Sequence, residues 1–319
     1  MKYWDTITER LPKEPIRWPN GARIAVLSLF DYQAEVSEWI FPDGTPNYGQ
    51  ITESSYGGRV GIWRLLDILD KHGIKATINV CGITAERYPE SVQAIVERGH
   101  EIAGHTYTHR AQFLLPYEEE VEEIRKTVNA IKRITGARIV GWRCPIVQPS
   151  KNTLKILADE GFVWDGNFLN YDLPYMLDIG KKSLVEIPYT FSTDDFPFIY
   201  GAIRQDFGGF PGPRQTPSAL FQMWKDEFDV LYAESAKTPK MFAFQQHPLI
   251  MGRAHRSLYT DRLYEYIKGH EGVWFARCND VAQWWLKHYN DMKPDLRTDK
   301  ESGELVDSSG RQRAPALVD

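Results

Sequence analysis

Residues 96–109 read VERGHEIAGHTYTH, and this stretch decides the fold class. Gly99 is typical of a turn, Glu101–Ala103 predicts a short apolar strand, and His105 and His109 follow directly after it. Ligands in α/β folds bind where strands end. Two imidazoles four positions apart share one face if a helix begins there, and such a pair can hold one divalent metal. The stretch predicts an α/β protein with a metal site, while two polar residues at a helix start are the simpler interpretation of the same pair.

Strands and helices alternate along the rest of the chain. An apolar run predicts a buried strand at 23–29, and apolar residues at helical spacing predict helices at 57–72, 116–135 and 218–235. About eight strands separated by helices indicate a (β/α) barrel-like fold with a parallel sheet. We therefore expect a single catalytic barrel over residues 21–290.

Four segments fall outside this alternation. Residues 1–20 are expected to form an N-terminal arm, and 291–319 a charged C-terminal surface extension. The segments 36–55 and 196–217 are rich in Gly, Pro and aromatic residues, and loops of that length are usually lids or oligomer contacts. The arm and these loops have no evident core to join, which favours their burial between subunits.

Composition excludes several classes of function. The formal net charge of −5 argues against a nucleic-acid partner, which requires basic patches. No apolar run approaches the length of a membrane span, so we expect no membrane partner. Three scattered cysteines predict free thiols rather than a disulfide framework. The first residues contain no apolar stretch of a signal peptide, so a cytoplasmic protein is expected.

Three more polar residues stand at the ends of predicted strands. Asp31 ends the first strand, Arg143 follows a later one, and His247 ends a strand near residue 245. The carboxyl ends of strands in a parallel barrel meet at one face. A carboxylate base, two imidazoles for a metal, a third histidine as acid and a cation to hold the carboxylate form a hydrolytic site.

Each of these residues also has a purely structural interpretation. Asp31 could cap the following loop, Arg143 could pair with Asp165 or Asp31 without touching substrate, and His247 could be a hydrogen-bonded core histidine. Cys144 has no base beside it in the sequence, which argues against a nucleophilic thiol.

The motifs are specific when taken in order along the chain. They are an Asp-containing FDYQ at 30–33, HTYTH at 105–109, RCP at 143–145, WD at 164–165 and HP at 247–248. This order resembles the polysaccharide deacetylase superfamily, carbohydrate esterase family 4, over roughly residues 20–290. The resemblance implies the α/β NodB-like fold, a deformed (β/α) barrel of about seven parallel strands, and metal-dependent hydrolysis of acyl–nitrogen bonds.

Further stretches resemble one subgroup of that superfamily. They are GGRVGIWRLL at 57–66, LVEIP at 184–188, the pair Asp194-Asp195, and HPLIMGR at 247–253. The subgroup contains intracellular peptidoglycan deacetylase-like proteins, metal-independent allantoinases and cyclic imide hydrolases. Its members are commonly homotetramers, so the resemblance implies a homo-oligomer here.

The resemblance also implies roles for individual residues. Asp31 matches the catalytic base, His105 and His109 the metal ligands, Arg143 the residue that orients the base, and His247 the catalytic acid. We expect four further residues to contact the substrate, namely Tyr107, Trp39, Arg253 and Pro145. The backbone amide of Tyr107 is expected to stabilise a developing oxyanion.

One position departs from the family pattern. The metal-binding aspartate of the family follows the base directly or after one residue, where this chain has Tyr32 and Gln33. Gln33 could coordinate through its amide oxygen, although a neutral ligand holds Zn²⁺ less tightly than a carboxylate. Glu35, on the same strand face, could coordinate instead, or the site could bind metal weakly or not at all. We expect a divalent metal, Zn²⁺, because both histidines are present.

The substrate follows from the loops and from the missing export signal. Long aromatic loops could close over the barrel mouth, and a closed pocket suits a small molecule. We therefore expect ring opening of a small cyclic amide, imide or ureide. The alternatives are N-deacetylation of a peptidoglycan or chitin-type sugar, and a catalytically inactive member that only binds a ligand.

Overall fold

One ten-stranded sheet organises the part of the chain that the computed structural model describes, residues 7–12, 15–36, 44–199, 215–290, 296–298 and 305–307. The strands are β1 (Ile7–Arg10), β2 (Ile24–Tyr32), β3 (Thr77–Val80), β4 (Glu101–Gly104), β5 (Gly141–Trp142), β6 (Trp164–Asp165), β7 (Tyr175–Ile179), β8 (Lys182–Glu186), β9 (Lys240–Gln246) and β10 (Val273–Ala276), with a separate hairpin of β11 (Leu296–Thr298) and β12 (Leu305–Asp307). The helices are α1 (Tyr48–Tyr56), α2 (Ile62–His72), α3 (Gly82–Arg87), α4 (Pro89–Glu97), α5 (Tyr117–Thr135), α6 (Thr153–Asp159), α7 (Asp195–Ile199), α8 (Pro217–Glu234), α9 (Pro248–Met251), α10 (Ala254–Lys268) and α11 (Cys278–Tyr289).

The sheet is mostly parallel and strongly rearranged from a regular barrel. Its order is β1-β7-β8-β6-β5-β4-β3-β2-β10, and β9 also pairs with β2. The pairs β1–β7 and β7–β8 are antiparallel, and the other ladders of this sheet are parallel. An isolated parallel bridge between Asp194 and Gln245 joins the segment after β8 to β9. This bridge brings the β8 end of the parallel strands next to β9.

Strand β2 is buried on both faces, as its apolar run predicts. Ile24, Val26 and Phe30 pack in the larger hydrophobic cluster, which includes the helices, whereas Ala25 and Leu27 belong to a second cluster with residues of β8, β9 and α11. The alternation follows from the two-residue period of a strand. Asp31 shares the inward face of Ala25 and Leu27, and so it is directed into the barrel mouth.

Three helices carry stabilising residues at their ends. Gly73 and Gly136 end α2 and α5 with φ of 67° and 73°, values that favour glycine. Helix α5 has three acidic residues in its first turn and two basic residues in its last, which suits the helix dipole. Thr216 caps α8 by accepting a hydrogen bond from the backbone N–H of Ala219.

The predicted helix at 57–72 differs from the structure at its start. A π-helical turn over Gly57–Gly61 joins α1 to α2, and α1 lies in a segment predicted as a loop. A Cβ on Gly61 would lie 2.1 Å from the carbonyl oxygen of Pro248. The glycines therefore let the turn after His247 pack directly on the helix backbone.

The N-terminal segment contributes to the core. Trp18 is 2% exposed and packs against Trp274 and Trp285, with ring centroids 5.6 and 5.8 Å apart. We expected no core for this segment to join, and the expectation is wrong for Trp18, whose large ring is covered by the chain's own helix α11 and strand β10. Its burial needs no partner subunit.

None of the helices within the described ranges is long and apolar enough to cross a membrane. The side chains of all three cysteines are buried.

Candidate active site

The ends of four parallel strands place the predicted catalytic residues together. Asp31 lies in β2, and His105, Arg143 and His247 directly follow β4, β5 and β9. The Oδ2 atom of Asp31 lies 3.7 Å from Nε2 of His105 and 3.9 Å from Nε2 of His247. All four side chains are buried. One carboxylate oxygen thus faces two imidazole nitrogens in a site shielded from bulk water.

Asp31 is buried yet stays ionised. Burial by itself would raise its pKa, but the nearby imidazoles of His105 and His247, the charge of Arg143 and a hydrogen bond from Asn79 outweigh that effect and hold the pKa below its ordinary value. A carboxylate in this state at neutral pH can accept a proton.

The histidine pair lies in a loop and not at a helix start. The ring centroids of His105 and His109 are 5.0 Å apart, and Thr106 and His109 have φ of 58° and 66°. Such values are uncommon for residues other than glycine and mark a loop held in place by its surroundings. Nδ1 of His105 lies 2.9 Å from the carbonyl oxygen of Arg143 and donates to it, since a carbonyl can only accept. The lone pair of Nε2 is therefore directed into the site, and burial lowers the pKa of His105 to about 4.

Glu123 on α5 holds the loop between the histidines. Its carboxylate accepts hydrogen bonds from the backbone N–H groups of Tyr107 and Thr108, over 2.8 and 2.9 Å, and from the Thr108 hydroxyl over 2.9 Å. The Tyr107 hydroxyl donates to Glu86 on the outer helices. The predicted role of the Tyr107 amide at an oxyanion is therefore wrong, because that N–H is already donated to Glu123.

His247 is bound on its inner side by Asp195. Nδ1 lies 2.6 Å from Oδ1 of Asp195, and the backbone N–H of His247 donates to Oδ2 over 2.8 Å. Burial opposes the charge on His247, but Asp195, Asp194 and Asp31 raise its pKa to about 9. His247 is thus protonated at neutral pH, with Nε2–H on the side of Asp31, as a general acid requires.

Arg143 is a fully buried cation that forms no direct ion pair with a described residue. Its guanidinium carbon lies 4.0 Å from the centre of the Tyr189 ring, and the Tyr189 hydroxyl donates to Asp194 over 3.2 Å. Within the described ranges, neither Asp31 nor Asp165 lies within 4.0 Å of its nitrogens, and Nε and Nη1 have no hydrogen-bond partner. Arg143 therefore acts on Asp31 through its charge and not through the predicted contact.

Gln33 and Glu35, the two predicted oxygen ligands, differ in their surroundings. Gln33 is buried, and its Oε1 has no hydrogen-bond partner among the described residues. Glu35 does not fit the predicted ligand role, because both of its carboxylate oxygens accept from the Tyr88 hydroxyl at 2.7 Å. Two imidazoles and one neutral oxygen remain, a donor set suited to a divalent ion.

A second group of residues is also consistent with a metal site. Asp194, Asp195 and His247 are buried, and their candidate ligand atoms all lie within 4.8 Å of one another. Nδ1 of His247 would have to lose its proton and its bond to Asp195 before it could bind an ion there. The sequence identified the aspartate pair only as a subgroup feature, since nothing in two adjacent acids shows which histidine they will face.

The remaining residues that were predicted to contact the substrate lie in three different environments. Arg253 forms an ion pair with Glu53 over 2.6 Å and lies 3.8 Å from the Tyr56 ring centre, so its charge is already compensated. Pro145 is buried at the start of a short 3₁₀ helix after Arg143. Trp39 lies outside the described residues, as does most of the segment 196–217, which was predicted as a lid or an oligomer contact.

Two buried carboxyl groups beneath Arg143 were not predicted as a pair. Asp165 and Glu186 are neighbours in the β6–β8 ladder, and burial raises the pKa of Asp165 to about 6 and that of Glu186 well above its usual range. Asp165 accepts from the Asn167 side chain, whose Oδ1 in turn accepts from the backbone N–H of Cys144. Through Asn167, Asp165 fixes the loop that carries Arg143.

Comparisons with known proteins agree with this site. Residues 53–163 match a family described as polysaccharide deacetylase. The peptidoglycan deacetylase of Helicobacter pylori is 28% identical over 269 residues, which are 76% of this chain and 90% of that protein.

Solved structures cover nearly the whole fold. One from Mycobacterium smegmatis, assigned as a polysaccharide deacetylase, superposes with a TM-score of 0.80 at 30% identity and covers 90% of this chain and 97% of its own. The structure of Puue allantoinase superposes with a TM-score of 0.75 at 30% identity, over 85% and 93% of the two chains. These similarities confirm the expected fold class.

Proposed function

This chain belongs to the polysaccharide deacetylase family and is a hydrolase acting on carbon–nitrogen bonds, and from that premise we propose that it opens the ring of a small cyclic amide, imide or ureide. Similarity to an allantoinase over most of both chains supports this substrate class, since allantoin is a cyclic ureide. The buried mouth around Asp31 supports a small substrate.

A single arrangement carries the proposal: Oδ2 of Asp31 lies between Nε2 of His105 and Nε2 of His247. Asp31 accepts a proton from the attacking water. His247, protonated and bound to Asp195, gives its Nε2 proton to the leaving ring nitrogen. The buried charge of Arg143 keeps Asp31 ionised between turnovers.

Metal binding is part of the proposal. His105 and His109, with the amide oxygen of Gln33, would hold a divalent ion, for which we propose Zn²⁺. When bound, the ion supplies Lewis acidity at the scissile carbonyl. The neutral Gln33 predicts weaker retention than an aspartate would give.

N-deacetylation of a peptidoglycan or chitin-type sugar is the second candidate. Similarity to the Helicobacter pylori peptidoglycan deacetylase favours it. The same base and acid would serve, because both reactions break an acyl–nitrogen bond. The two candidates differ in the size of the substrate that must reach Asp31.

A substrate panel tests the choice. Succinimide, hydantoin and allantoin are assayed for ring opening, and chitooligosaccharides for acetate release, each with chelator and with Zn²⁺ added back. Ring opening that chelator removes and Zn²⁺ restores is the expected result. Acetate release without ring opening would reverse the ranking, and no hydrolysis of any substrate would overturn the proposal.

A second prediction concerns the replacement of the proposed base, Asp31. Asp31→Asn keeps the size of the side chain but removes the proton acceptor, so kcat should fall by about 10²- to 10⁴-fold. The circular dichroism spectrum should stay unchanged. Activity equal to the original protein would exclude Asp31 as the base.

A further inference from the structure

A buried amide beside Asp31 belongs to none of the motifs in the sequence. Asn79 lies on β3 opposite Asp31 in the parallel register, and its side chain is fully buried. Its Nδ2 donates to Oδ1 of Asp31 over 2.7 Å. A polar side chain in a barrel interior costs free energy unless its contacts repay that cost, so this contact calls for a chemical explanation.

The two oxygens of Asp31 have different surroundings. Oδ1 is occupied by the amide of Asn79, whereas Oδ2 faces Nε2 of His105 and Nε2 of His247. A lone pair of Oδ1 that accepts this hydrogen bond cannot also accept a proton from water. Oδ2 is then the oxygen that remains open to a water in the site.

We propose that Asn79 is a positioning residue that fixes the plane of the Asp31 carboxylate and reserves Oδ2 for the proton of the attacking water. The inference rests on the hydrolytic function proposed above. It adds the identity of the reacting oxygen and the residue that selects it.

The other end of the amide supports this role. Oδ1 of Asn79 is buried and accepts no hydrogen bond within the described residues. Buried amides that serve only the fold normally have both ends paired. The orientation of Asn79 is therefore set by Asp31, and the unsatisfied oxygen is a cost that the structure tolerates for that contact.

Kinetics of an isosteric variant test the inference. Asn79→Leu keeps the branched shape but removes the donor. We expect kcat to fall about 10- to 100-fold, the effect of losing a hydrogen bond to a charged group, while KM changes less than about twofold.

Thr77→Val is the matched control. Thr77 lies two residues earlier on the same face of β3 and donates to Glu101 over 2.8 Å, away from Asp31. This variant should lower the melting temperature and leave kcat within about twofold. Unchanged kcat in Asn79→Leu, or an equal loss of kcat in Thr77→Val, would overturn the inference.

Nuclear magnetic resonance separates this inference from the proposed function. Protein labelled with ¹⁵N-asparagine gives a side-chain amide signal that disappears in Asn79→Leu and identifies Asn79. That signal should move upfield in Asp31→Ala, because the charged acceptor is gone. An unmoved signal would overturn the positioning role even if the original protein hydrolyses its substrate, whereas a protein that hydrolyses nothing would remove the proposed function and this inference with it.

Discussion

A histidine must hold its proton until the leaving group needs it, and at His247 that property comes from three carboxylates, with Asp195 contributing most. Asp195 contacts both the ring and the backbone N–H of His247, so it fixes the orientation of the ring as well as its charge. The pKa of His247 is about 9 in this setting, above the ordinary value of a histidine. The acid should consequently stay active well above neutral pH.

Removal of the Asp195 charge should shift the pH dependence of kcat/KM. In Asp195→Asn the amide oxygen can still accept from Nδ1, but the pKa of His247 falls because the negative charge is lost. The alkaline limb of kcat/KM should move to lower pH by on the order of one unit, since less His247 is protonated at a given pH. A pH–rate profile measures the shift.

Asp229→Asn is the control for the charge change, because Asp229 pairs with Lys225 on α8 and contacts no residue of the site. Its profile should match that of the original protein. An alkaline limb that stays in place in Asp195→Asn would show that His247 is not the acid.

Elements outside the sheet determine the shape of the site. Two residues of the loop 105–109 have left-handed backbone conformations. Glu123 of α5 accepts hydrogen bonds from the backbone N–H groups of Tyr107 and Thr108 in this loop. The helix thus holds the histidine pair although it supplies no ligand of its own. Residues that orient ligands in this way usually contribute strongly to metal affinity.

A single substitution in α5 should expose that contribution. Glu123→Ala leaves the N–H groups of Tyr107 and Thr108 without their acceptor, so the loop loses its conformation. We expect Zn²⁺ affinity to fall about 10- to 100-fold in a calorimetric titration. Glu122→Ala is the control, because the neighbouring Glu122 forms an exposed pair with Lys126. Equal affinities in the two variants would contradict the role of Glu123.

At the scale of the whole molecule, one buried histidine links stability to pH. His100 is 4% exposed, its Nδ1 accepts from the backbone N–H of Ala76, and its Nε2 has no partner among the described residues. Burial lowers its pKa to about 4. The unfolded chain binds a proton at about pH 6.5 while the folded one does not, so the free energy of unfolding should decrease as the pH falls from about 6.5 to about 4.

Denaturant unfolding across this pH range tests the linkage. His100→Gln retains an acceptor for Ala76 and removes the titrating group, so its stability should depend less on pH over that window. His288→Gln, on the exposed end of α11, should keep the dependence of the original protein. Identical curves for all three proteins would show that His100 is not the linked group.

The expected homotetramer stays a prediction. We propose it from the family resemblance, since burial of Trp18 within the chain removes part of the physical reason for it. Size-exclusion chromatography with light scattering should give four times the chain mass of 36.8 kDa.

Local patterns predicted the sheet and the catalytic face, but contacts between distant segments were beyond them. Apolar periodicity located β2 and α5, and the rule that parallel strand ends converge brought Asp31, His105 and His247 together. Glu123, Asn79 and Asp195 gained their roles from register and packing, which a linear pattern does not contain. The helical interpretation of 105–109 failed because tertiary hydrogen bonds override local preference.

The bare glycine backbone beneath Pro248 has a practical consequence for protein engineering. Any side chain introduced at Gly57, Gly61 or Gly252 would push the segment that follows His247 outward. The atoms nearest to the new Cβ would be main-chain atoms, which cannot rotate aside. Mutagenesis libraries that aim to broaden the range of accepted substrates should leave these three positions untouched.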